Sequence, residues 1–363
     1  MRVFRSRAGV ANGATDELQD RVTPWLALFG LILGATPAFP SSVVPMAWGT
    51  DEDTGHLVQI QDYDSSPLVT DYGRLSIDDG GTVRPFPDTD TEYSDVFSNI
   101  ESFTLNEQGF AYMVGNTTVD FPGGGSFGSP HLYRLRIFNP DGSLAVMPDD
   151  ATGSGGYNAL ESLGAISGIS SDGAVNGIDF DPITGDLYAG VENDGRDDLL
   201  TIDPLTGVTT MIAASMEGTD DIEDIQFDEF GNLYLIDDDG GTNETDDILF
   251  MATLDRSGDL PSLSTINEVN NTGGNHRIES IAWDFMNQRL IGFSDESNSL
   301  FQLYTDSDGY IELGSVGFND VEGLDFVPTL SGLPVPEPTT ALLLGLGLVG
   351  LAGSRRVQRT PAA

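Results

Sequence analysis

Five similar hexapeptides along the chain carry an acid or an amide at their second position, and oxygen-bearing side chains of this kind could hold a metal ion. Each reads aliphatic, acid or amide, small or acidic, aliphatic or aromatic, any residue, large apolar. The copies begin at Ile100, Val175, Ile222, Ile278 and Val321, and their second residues are Glu101, Asn176, Glu223, Glu279 and Glu322. Carboxylates around a shared centre repel one another unless a cation or protons intervene. Since Ca²⁺ accepts six to eight oxygen ligands in adaptable geometry, the repeat predicts a site for Ca²⁺ or another divalent cation. The alternative is that each acid binds backbone amides of the neighbouring repeat.

Other patterns with chemical potential are weaker. Cysteine and lysine are both absent, which excludes thiolate nucleophiles, cysteine metal sites and lysine-based catalysis. The three histidines, His56, His131 and His276, share no spacing typical of a metal triad. Residues 124–128 match G-x-S-x-G but lie in a glycine-rich stretch with no helix predicted behind them, so we interpret the match as coincidence. No catalytic residue stands apart from the repeat.

The spacing of the hexapeptides indicates the elements that position them. Successive copies begin 75, 47, 56 and 43 residues apart, mostly near the length of a four-stranded propeller blade. After each of the first four copies comes a turn and a second strand, as in Asp181-Pro182-Ile183-Thr184-Gly185 before Leu187. Asp begins such turns by accepting a backbone hydrogen bond, and Gly accepts positive φ at their end. In a propeller the first strand of each blade lines the central channel, so the second positions would form a ring.

The fifth copy ends after one strand, and its missing strands are at the other end of the chain. Residues 46–50 resemble residues 290–294, and residues 57–60 resemble residues 300–303. The sequence therefore predicts an all-β, five-bladed β-propeller whose N-terminal strands complete the last blade. A degenerate sixth blade within the first interval is the alternative, although the Gly- and Ser-rich residues 148–174 favour a long loop there. A β-sandwich is less favoured because it gives no reason for a repeated hexapeptide.

The charge of the chain restricts its partners. There are 58 acidic residues against 15 basic ones, a net charge of −43. A nucleic-acid partner is not expected, because the phosphate backbone would be repelled. The same charge favours solubility and surroundings rich in cations.

The N terminus has the form of an export signal. An apolar run, Trp25–Ala35, is followed by small residues before a possible cut after Ala38. We expect residues 1–38 to be a signal peptide with a helical core that signal peptidase removes.

The C terminus combines three features in order. Val335-Pro336-Glu337-Pro338 precedes an apolar run, Ala341–Gly353, and then Arg355 and Arg356. This order resembles the PEP-CTERM sorting signal of Gram-negative bacteria, which implies recognition and cleavage by the membrane protease exosortase. Thirteen apolar residues form a helix of about 20 Å, short for a ~30 Å hydrocarbon core, so residues 334–363 suit a transient membrane anchor rather than a permanent one. The resemblance implies export to the cell envelope, the outer surface or the extracellular matrix.

The body, residues 39–333, more loosely resembles bacterial propellers with NHL-like or YncE-like blades. That likeness implies a propeller but no activity, since such propellers include both ligand-binding scaffolds and calcium-dependent lactonases. The first hypothesis is a non-enzymatic module that binds a polysaccharide, peptide or matrix partner. The alternative is a calcium-dependent, lactonase-like hydrolase with its metal in the central channel. An enzyme of that kind would need a further acid or histidine beside the metal.

Overall fold

In the computed structural model, the described part of the chain is built from β-strands and turns. The described residues are 46–51, 55–64, 66–78, 83–85, 100–115, 119–121, 125–127, 130–140, 142–146, 158–169, 173–193, 196–216, 218–219, 221–238, 247–258, 260–272, 276–318 and 321–327. The predicted N-terminal and C-terminal helices lie outside these residues. The described part of the chain contains no helix of the length and hydrophobicity that crossing a bilayer requires.

Twenty-three strands are formed by the described residues. They are β1 (Met46–Asp51), β2 (His56–Gln61), β3 (Leu68–Asp78), β4 (Val83–Pro85), β5 (Ile100–Leu105), β6 (Phe110–Gly115), β7 (Val119–Phe121), β8 (Gly125–Phe127), β9 (His131–Arg136), β10 (Asn158–Ala165), β11 (Ala174–Phe180), β12 (Leu187–Glu192), β13 (Asp197–Ile202), β14 (Thr209–Ala213), β15 (Ile222–Phe227), β16 (Leu233–Asp238), β17 (Asp247–Asp255), β18 (Ser262–Asn271), β19 (Ile278–Asp284), β20 (Arg289–Ser294), β21 (Ser299–Leu303), β22 (Tyr310–Ser315) and β23 (Val321–Phe326).

These strands form five antiparallel four-stranded blades. In order from the innermost strand, the blades are β5-β6-β9-β10, β11-β12-β13-β14, β15-β16-β17-β18, β19-β20-β21-β22 and β23-β1-β2-β3. Each blade begins with one of the predicted hexapeptides. The five inner strands contact one another in a closed ring, in the order β5, β11, β15, β19, β23 and back to β5. The prediction of an all-β, five-bladed propeller is therefore confirmed.

The hydrophobic core is divided among the interfaces between blades. Five clusters of buried apolar side chains are present, and each joins residues of two neighbouring blades. Trp48, fully buried, packs with Phe103 and Leu105 where the fifth blade meets the first. Because every blade has an apolar face toward each neighbour, closing the ring buries all of these faces.

Strands from the two ends of the described chain share the fifth blade, as predicted. Strand β1 pairs with β23 in antiparallel register, with Ala47 opposite Phe326 and Trp48 opposite Asp325. The hydroxyl of Thr50 also donates to the carbonyl oxygen of Glu322 over 2.8 Å. The ring is thus closed by backbone pairing, which removes a free sheet edge.

The prediction of a long loop over residues 148–174 was wrong in part. Residues 158–165 form β10, the outer strand of the first blade, which pairs with β9. Strand β10 also pairs in parallel with β3 of the fifth blade, so these two blades form one continuous sheet. Within the described residues, the first interval also contains the hairpin β7–β8, and the strands there form no sixth blade.

Each inner strand has a β-bulge within its hexapeptide. The register with the second strand shifts between the first and third positions in four blades, and between Glu322 and Leu324 in the fifth. Close packing accompanies the bulge, because a Cβ on Gly323 would overlap the backbone nitrogen of Phe103 in the next blade. Gly323 also has φ +60°, so both space and backbone angle favour glycine there.

Candidate functional site

The predicted metal-binding ring lies at the start of the inner strands. Glu279 and Glu322 are mostly buried, and Glu101 and Glu223 are half-buried. Asn176 donates from Nδ2 to the carbonyl oxygen of Ile222 in the next blade over 2.9 Å. That bond is of the type expected from the alternative reading of the ring, in which its members bind backbone groups of the neighbouring repeat.

No metal geometry is evident in this ring. Within the residues that the structure describes, no group of three or more Asp, Glu or His side chains is arranged to hold a metal ion. Glu279 instead pairs with Arg277, at 3.3 Å between Oε1 and Nη2. The Ca²⁺ site at Glu101, Asn176, Glu223, Glu279 and Glu322 stays a prediction.

A second set of acids, on the third and fifth positions of the hexapeptide, joins the blades. Asp325 accepts a hydrogen bond from the backbone N–H of Leu105 in the next blade at 2.6 Å. Asp179 accepts one from the N–H of Phe227 at 2.6 Å, and Asp224 accepts one from the N–H of Ile281 at 2.8 Å. Each carboxylate thus satisfies a buried donor of the following blade, which otherwise would cost free energy.

Thr104 lies between two of these acids. Its single hydroxyl is 2.8 Å from Asp179 Oδ1 and 3.1 Å from Asp325 Oδ2. One hydroxyl proton can be donated to only one acceptor, so a proton on either carboxyl group is needed for both contacts to be hydrogen bonds.

Burial favours such a proton. Removal from water raises the pKa of Asp179 to about 7, against the lowering effect of hydrogen bonds from Phe227, Thr104 and Phe180. Burial also raises the pKa of Asp325 and of Asp224 well above the usual range, and the negative charge of Asp179 adds to both shifts. The cluster therefore holds protons near neutral pH that ordinary aspartates have lost.

The inner strands end at what we call the exit face, formed by the turns at residues 106–109, 181–186, 228–232 and 284–288. In each turn, an Asx side chain accepts a hydrogen bond from the N–H two residues later. The pairs are Asn106 with Gln108 (3.1 Å), Asp181 with Ile183 (2.9 Å), Asp228 with Phe230 (2.9 Å) and Asp284 with Met286 (3.0 Å). The predicted turn chemistry is confirmed, and it repeats around the ring.

Arginines connect these turns across blade boundaries. The buried carboxylate of Asp181 pairs with Arg256 Nε at 2.6 Å, and Arg256 Nη2 donates to the carbonyl oxygen of Gly231 at 2.8 Å. Arg289 likewise bonds both Asp284 and Asp64. The exit face is therefore held in place by ion pairs as well as by turns.

A cavity of about 460 Å³ opens at the centre of the exit face. All five blades contribute to what we call the mouth cavity. It is lined by Leu105, residues 106–108, Asp179, Phe180, residues 181–185, Glu229, Phe285 and Asp325. Asp179 and Asp325 supply its floor, and Glu107, Gln108 and Thr184 are exposed at its edge. This cavity has the size and mixed polar and apolar lining of a site for a small ligand.

Sequence reasoning missed both the buried acids and the mouth cavity. The fifth position was read as variable, because it holds Thr104, Asp179, Gln226, Ala282 and Asp325 in the successive copies. The pattern that predicts these buried acids is an alternation, around the ring, of acids and hydrogen-bonding side chains at the fifth position. Asp325 is followed by Thr104, Asp179 and Gln226, and each neighbouring pair is hydrogen-bonded in the structure.

The remaining candidates are dispersed. His56 bonds Asp71 at 2.9 Å, His131 stacks on Tyr133, and His276 packs against Tyr310. These three contacts lie in different parts of the fold. Ser126 of the G-x-S-x-G match lies within β8 and not at a strand-to-helix turn.

Several solved propeller structures are similar to this chain, but only distantly. A putative 6-phosphogluconolactonase from Bacteroides uniformis is 11% identical, with a TM-score of 0.40 over 78% of this chain and 99% of that one. TolB from Acinetobacter baumannii is 12% identical, with a TM-score of 0.36 over 79% and 67%. The calcium-binding protein regucalcin from Agrobacterium tumefaciens is 14% identical, with a TM-score of 0.36 over 61% and 76%. Likenesses this weak assign no activity to the chain.

No protein of curated function matches the sequence. Residues 334–356, which lie outside the described part, match the PEP-CTERM protein-sorting motif. The resemblance inferred from Val335, Pro336, Glu337, Pro338, Arg355 and Arg356 is confirmed by this match. The chain thus carries a PEP-CTERM sorting motif, which marks an exported protein that is processed by exosortase and sorted to the cell surface.

Proposed function

We propose that the propeller is a non-enzymatic binding module of the cell envelope or extracellular matrix of a Gram-negative bacterium, and that its ligand is a sugar unit of a surface polysaccharide. The mouth cavity carries this proposal. It is preformed on the central axis, and about 460 Å³ is enough for one or two sugar rings.

The lining of the mouth cavity suits a neutral or amino sugar. Asn106, Glu107 and Gln108 offer amide and carboxylate groups for hydroxyls, and Phe180 and Phe285 offer apolar surface. Acidic sugars would be repelled by the carboxylates at this end of the channel.

Three acids that line the cavity, Asp179, Asp325 and Glu229, are held by structural partners, which favours binding over catalysis. Asp179 and Asp325 are occupied by donors of neighbouring blades. Glu229 accepts hydrogen bonds from Trp283 Nε1 and from Gln288 Nε2, the second over 2.7 Å. Each of these acids therefore has a structural partner that a proton-transfer role would have to disrupt.

A glycan array probed with the folded full-length chain tests the proposal, followed by calorimetric titration of the best oligosaccharide. The double variant Glu107→Ala with Gln108→Ala should weaken binding roughly thirtyfold, since two lost hydrogen bonds contribute about 1 kcal/mol each. Thr206→Ala, an exposed change outside the cavity, is the matched control. Equal affinities for the two variants, or binding of no glycan by the wild-type chain, would contradict the proposal.

The calcium-dependent hydrolase is the second candidate, and one observation favours it. Asn176 Oδ1 is buried and has no hydrogen-bond partner among the described residues, and a cation is one means of satisfying such an oxygen. Titration with CaCl₂ decides this point. Binding heat that disappears in Asn176→Ala would support the ring site, whereas no heat in the wild type would reject it.

A further inference from the structure

The exit face has a rim of exposed apolar side chains. Ten large apolar side chains are exposed among the described residues, and three of them, Ile183, Phe230 and Met286, lie in exit-face turns. Five more lie in or beside the connections between the third and fourth strands of their blades, which antiparallel pairing places at the same end of the blades: Leu68, Leu144, Leu205, Val208 and Leu260. Six of these eight form what we call the rim: Leu68, Ile183, Leu205, Phe230, Leu260 and Met286. Phe230 is 68% exposed and Leu205 is 72% exposed. Exposed apolar groups that share one face typically mark a contact surface.

Four of the six rim residues are held in place by hydrogen bonds of their turns. The tips Ile183, Phe230 and Met286 each have their N–H bonded to the Asp two residues earlier, at 2.9, 2.9 and 3.0 Å. Leu205 has the same relation to Asp203, at 2.9 Å. A surface whose apolar tips are fixed in this way loses little conformational freedom when it makes a contact.

The chain enters and leaves the propeller at this same face. Strand β1 begins at Met46 and β23 ends at Phe326, and the N–H of Val327 donates to the carbonyl oxygen of Met46 over 3.3 Å. The PEP-CTERM motif begins at residue 334, and its apolar run begins at Ala341. Thirteen residues, 328–340, lie between Val327 and Ala341, so a fully extended linker reaches at most about 50 Å.

We propose that the rim contacts the surface of the lipid bilayer while the C-terminal segment is inserted in it. This proposal goes beyond the sugar-binding function and does not depend on it. It does rest on the prediction that residues 341–353 enter the membrane. The linker limits the exit face to within about 50 Å of the inserted segment, and such tethering raises the effective concentration of the rim at the bilayer, so that even a weak contact becomes effective.

A second membrane contact has a physical use here. A run of thirteen apolar residues is short for a bilayer, and stable attachment commonly combines two weak anchors. The rim tips would enter the interfacial layer, and the acids beside them, Asp181, Asp228, Glu229 and Asp284, would avoid anionic head groups. The rim should therefore prefer zwitterionic lipid.

The experiment uses the absence of cysteine from the chain. The variant Phe230→Cys carries an environment-sensitive dye, and the full-length chain is reconstituted into phosphatidylcholine vesicles containing a quencher-labelled lipid. Ser297→Cys, exposed in the turn between β20 and β21 at the opposite end, is the matched control. We expect at least threefold stronger quenching at position 230 than at position 297, and weaker quenching at position 230 when a third of the lipid is phosphatidylglycerol.

Two results would overturn the proposal. One is equal quenching at both positions when a flotation assay shows that the chain is attached to the vesicles. The tail would then be inserted without contact at the rim. The other is a dye at position 230 that is already in apolar surroundings before lipid is added. That result would assign the rim to the chain's own tail or to a second copy. Failure to bind sugar would leave both readouts unchanged, so the two proposals fail separately.

Discussion

At the scale of single residues, the acids that matter most for stability are those that cross from one blade to the next. Asp325 is fully buried, and its Oδ2 accepts from the Leu105 N–H at 2.6 Å and lies 3.1 Å from the Thr104 hydroxyl. Its carboxylate therefore belongs to the blade interface that closes the ring. Losing it would leave a buried backbone donor without an acceptor.

The variant Asp325→Ala should lower the free energy of unfolding by about 1–3 kcal/mol, the cost of an unsatisfied buried donor. Urea denaturation followed by tryptophan fluorescence measures this change. Asp306→Ala is the matched control, because Asp306 is exposed and its carboxylate accepts from the Ser307 hydroxyl, a neighbour in its own turn; its effect should be within about 0.5 kcal/mol. Equal effects of the two changes would show that the bond across the interface is unimportant.

Asp179 should make stability depend on pH in the direction opposite to an ordinary salt-bridged acid. Its folded-state pKa is about 7, raised by burial, whereas an unfolded aspartate has a pKa of about 3.9. The folded state thus binds the proton more tightly, so this contribution to stability is fully present below about pH 4 and is lost as the pH rises toward 7.

We therefore expect the free energy of unfolding to fall between pH 4 and pH 7, and to fall less steeply in Asp179→Asn. Denaturant titrations at several pH values measure the slope. Asp203→Asn is the control, because hydrogen bonds in its turn lower the pKa of Asp203. The titration of Asp203 therefore changes the free energy of unfolding only below about pH 4. If Asp179→Asn and the wild type had the same slope, the proposal that folded Asp179 keeps a proton up to about pH 7 would be wrong.

The sequence could reveal that the repeat carries acids, but not which acids face which partner. The second position holds an acid in four of the five copies, so its regularity favours the metal prediction for Glu101 and its equivalents. The fifth position holds an aspartate in only two of the five copies, Asp179 and Asp325, so the sequence gives no reason to single it out. Their role depends on the neighbouring strand being parallel and close, which only the packed ring determines.

At the scale of elements, the bulged inner strands set how closely the blades approach. Gly323 has φ +60°, and a side chain there would overlap Phe103 of the first blade. Gly185 has a similar φ of +77° but nothing within 4 Å of its would-be Cβ. The two glycines share the backbone requirement and differ only in the space available.

Gly323→Ala should destabilise the chain by about 3 kcal/mol or more, because strain at positive φ and overpacking add. Gly185→Ala should cost only about 1–2 kcal/mol, from the backbone angle alone. Thermal unfolding by circular dichroism measures both. A Gly323→Ala chain as stable as Gly185→Ala would mean that the blades can move apart at no cost.

Local elements were predicted where residue types have a known structural role, as in turns, and missed where the residues have no clear preference. The Asp-to-Gly turns, such as residues 181–185, were identified because their residue types satisfy a known turn. Strand β10 was missed because a glycine- and serine-rich segment has low strand propensity. Pairing with β9 on one side and β3 on the other forms this strand, and such pairing is a tertiary effect.

At the scale of the whole molecule, closure of the ring was predictable because both chain ends carry parts of one repeat. The match of residues 46–50 to a second strand placed β1 beside β23, as the register of Ala47 with Phe326 confirms. The mouth cavity was not predictable in this way. It arises from the turns of four blades and the inner strand of the fifth, and no local pattern records where those turns converge.

The whole molecule also carries a net charge of −43, so its stability should respond to salt. Compact packing of like charges raises the free energy of the folded state, and ions screen this repulsion over a distance of about 8 Å at physiological ionic strength. We expect the melting temperature to rise from 20 mM to 500 mM NaCl.

At equal ionic strength, MgCl₂ and CaCl₂ separate screening from specific binding. A larger rise with CaCl₂ than with MgCl₂, abolished by Glu322→Gln, would locate a Ca²⁺ site in the ring of second positions, whereas equal rises would assign the whole effect to screening. A melting temperature that fell or stayed constant in NaCl would contradict self-repulsion as a main electrostatic cost of this fold.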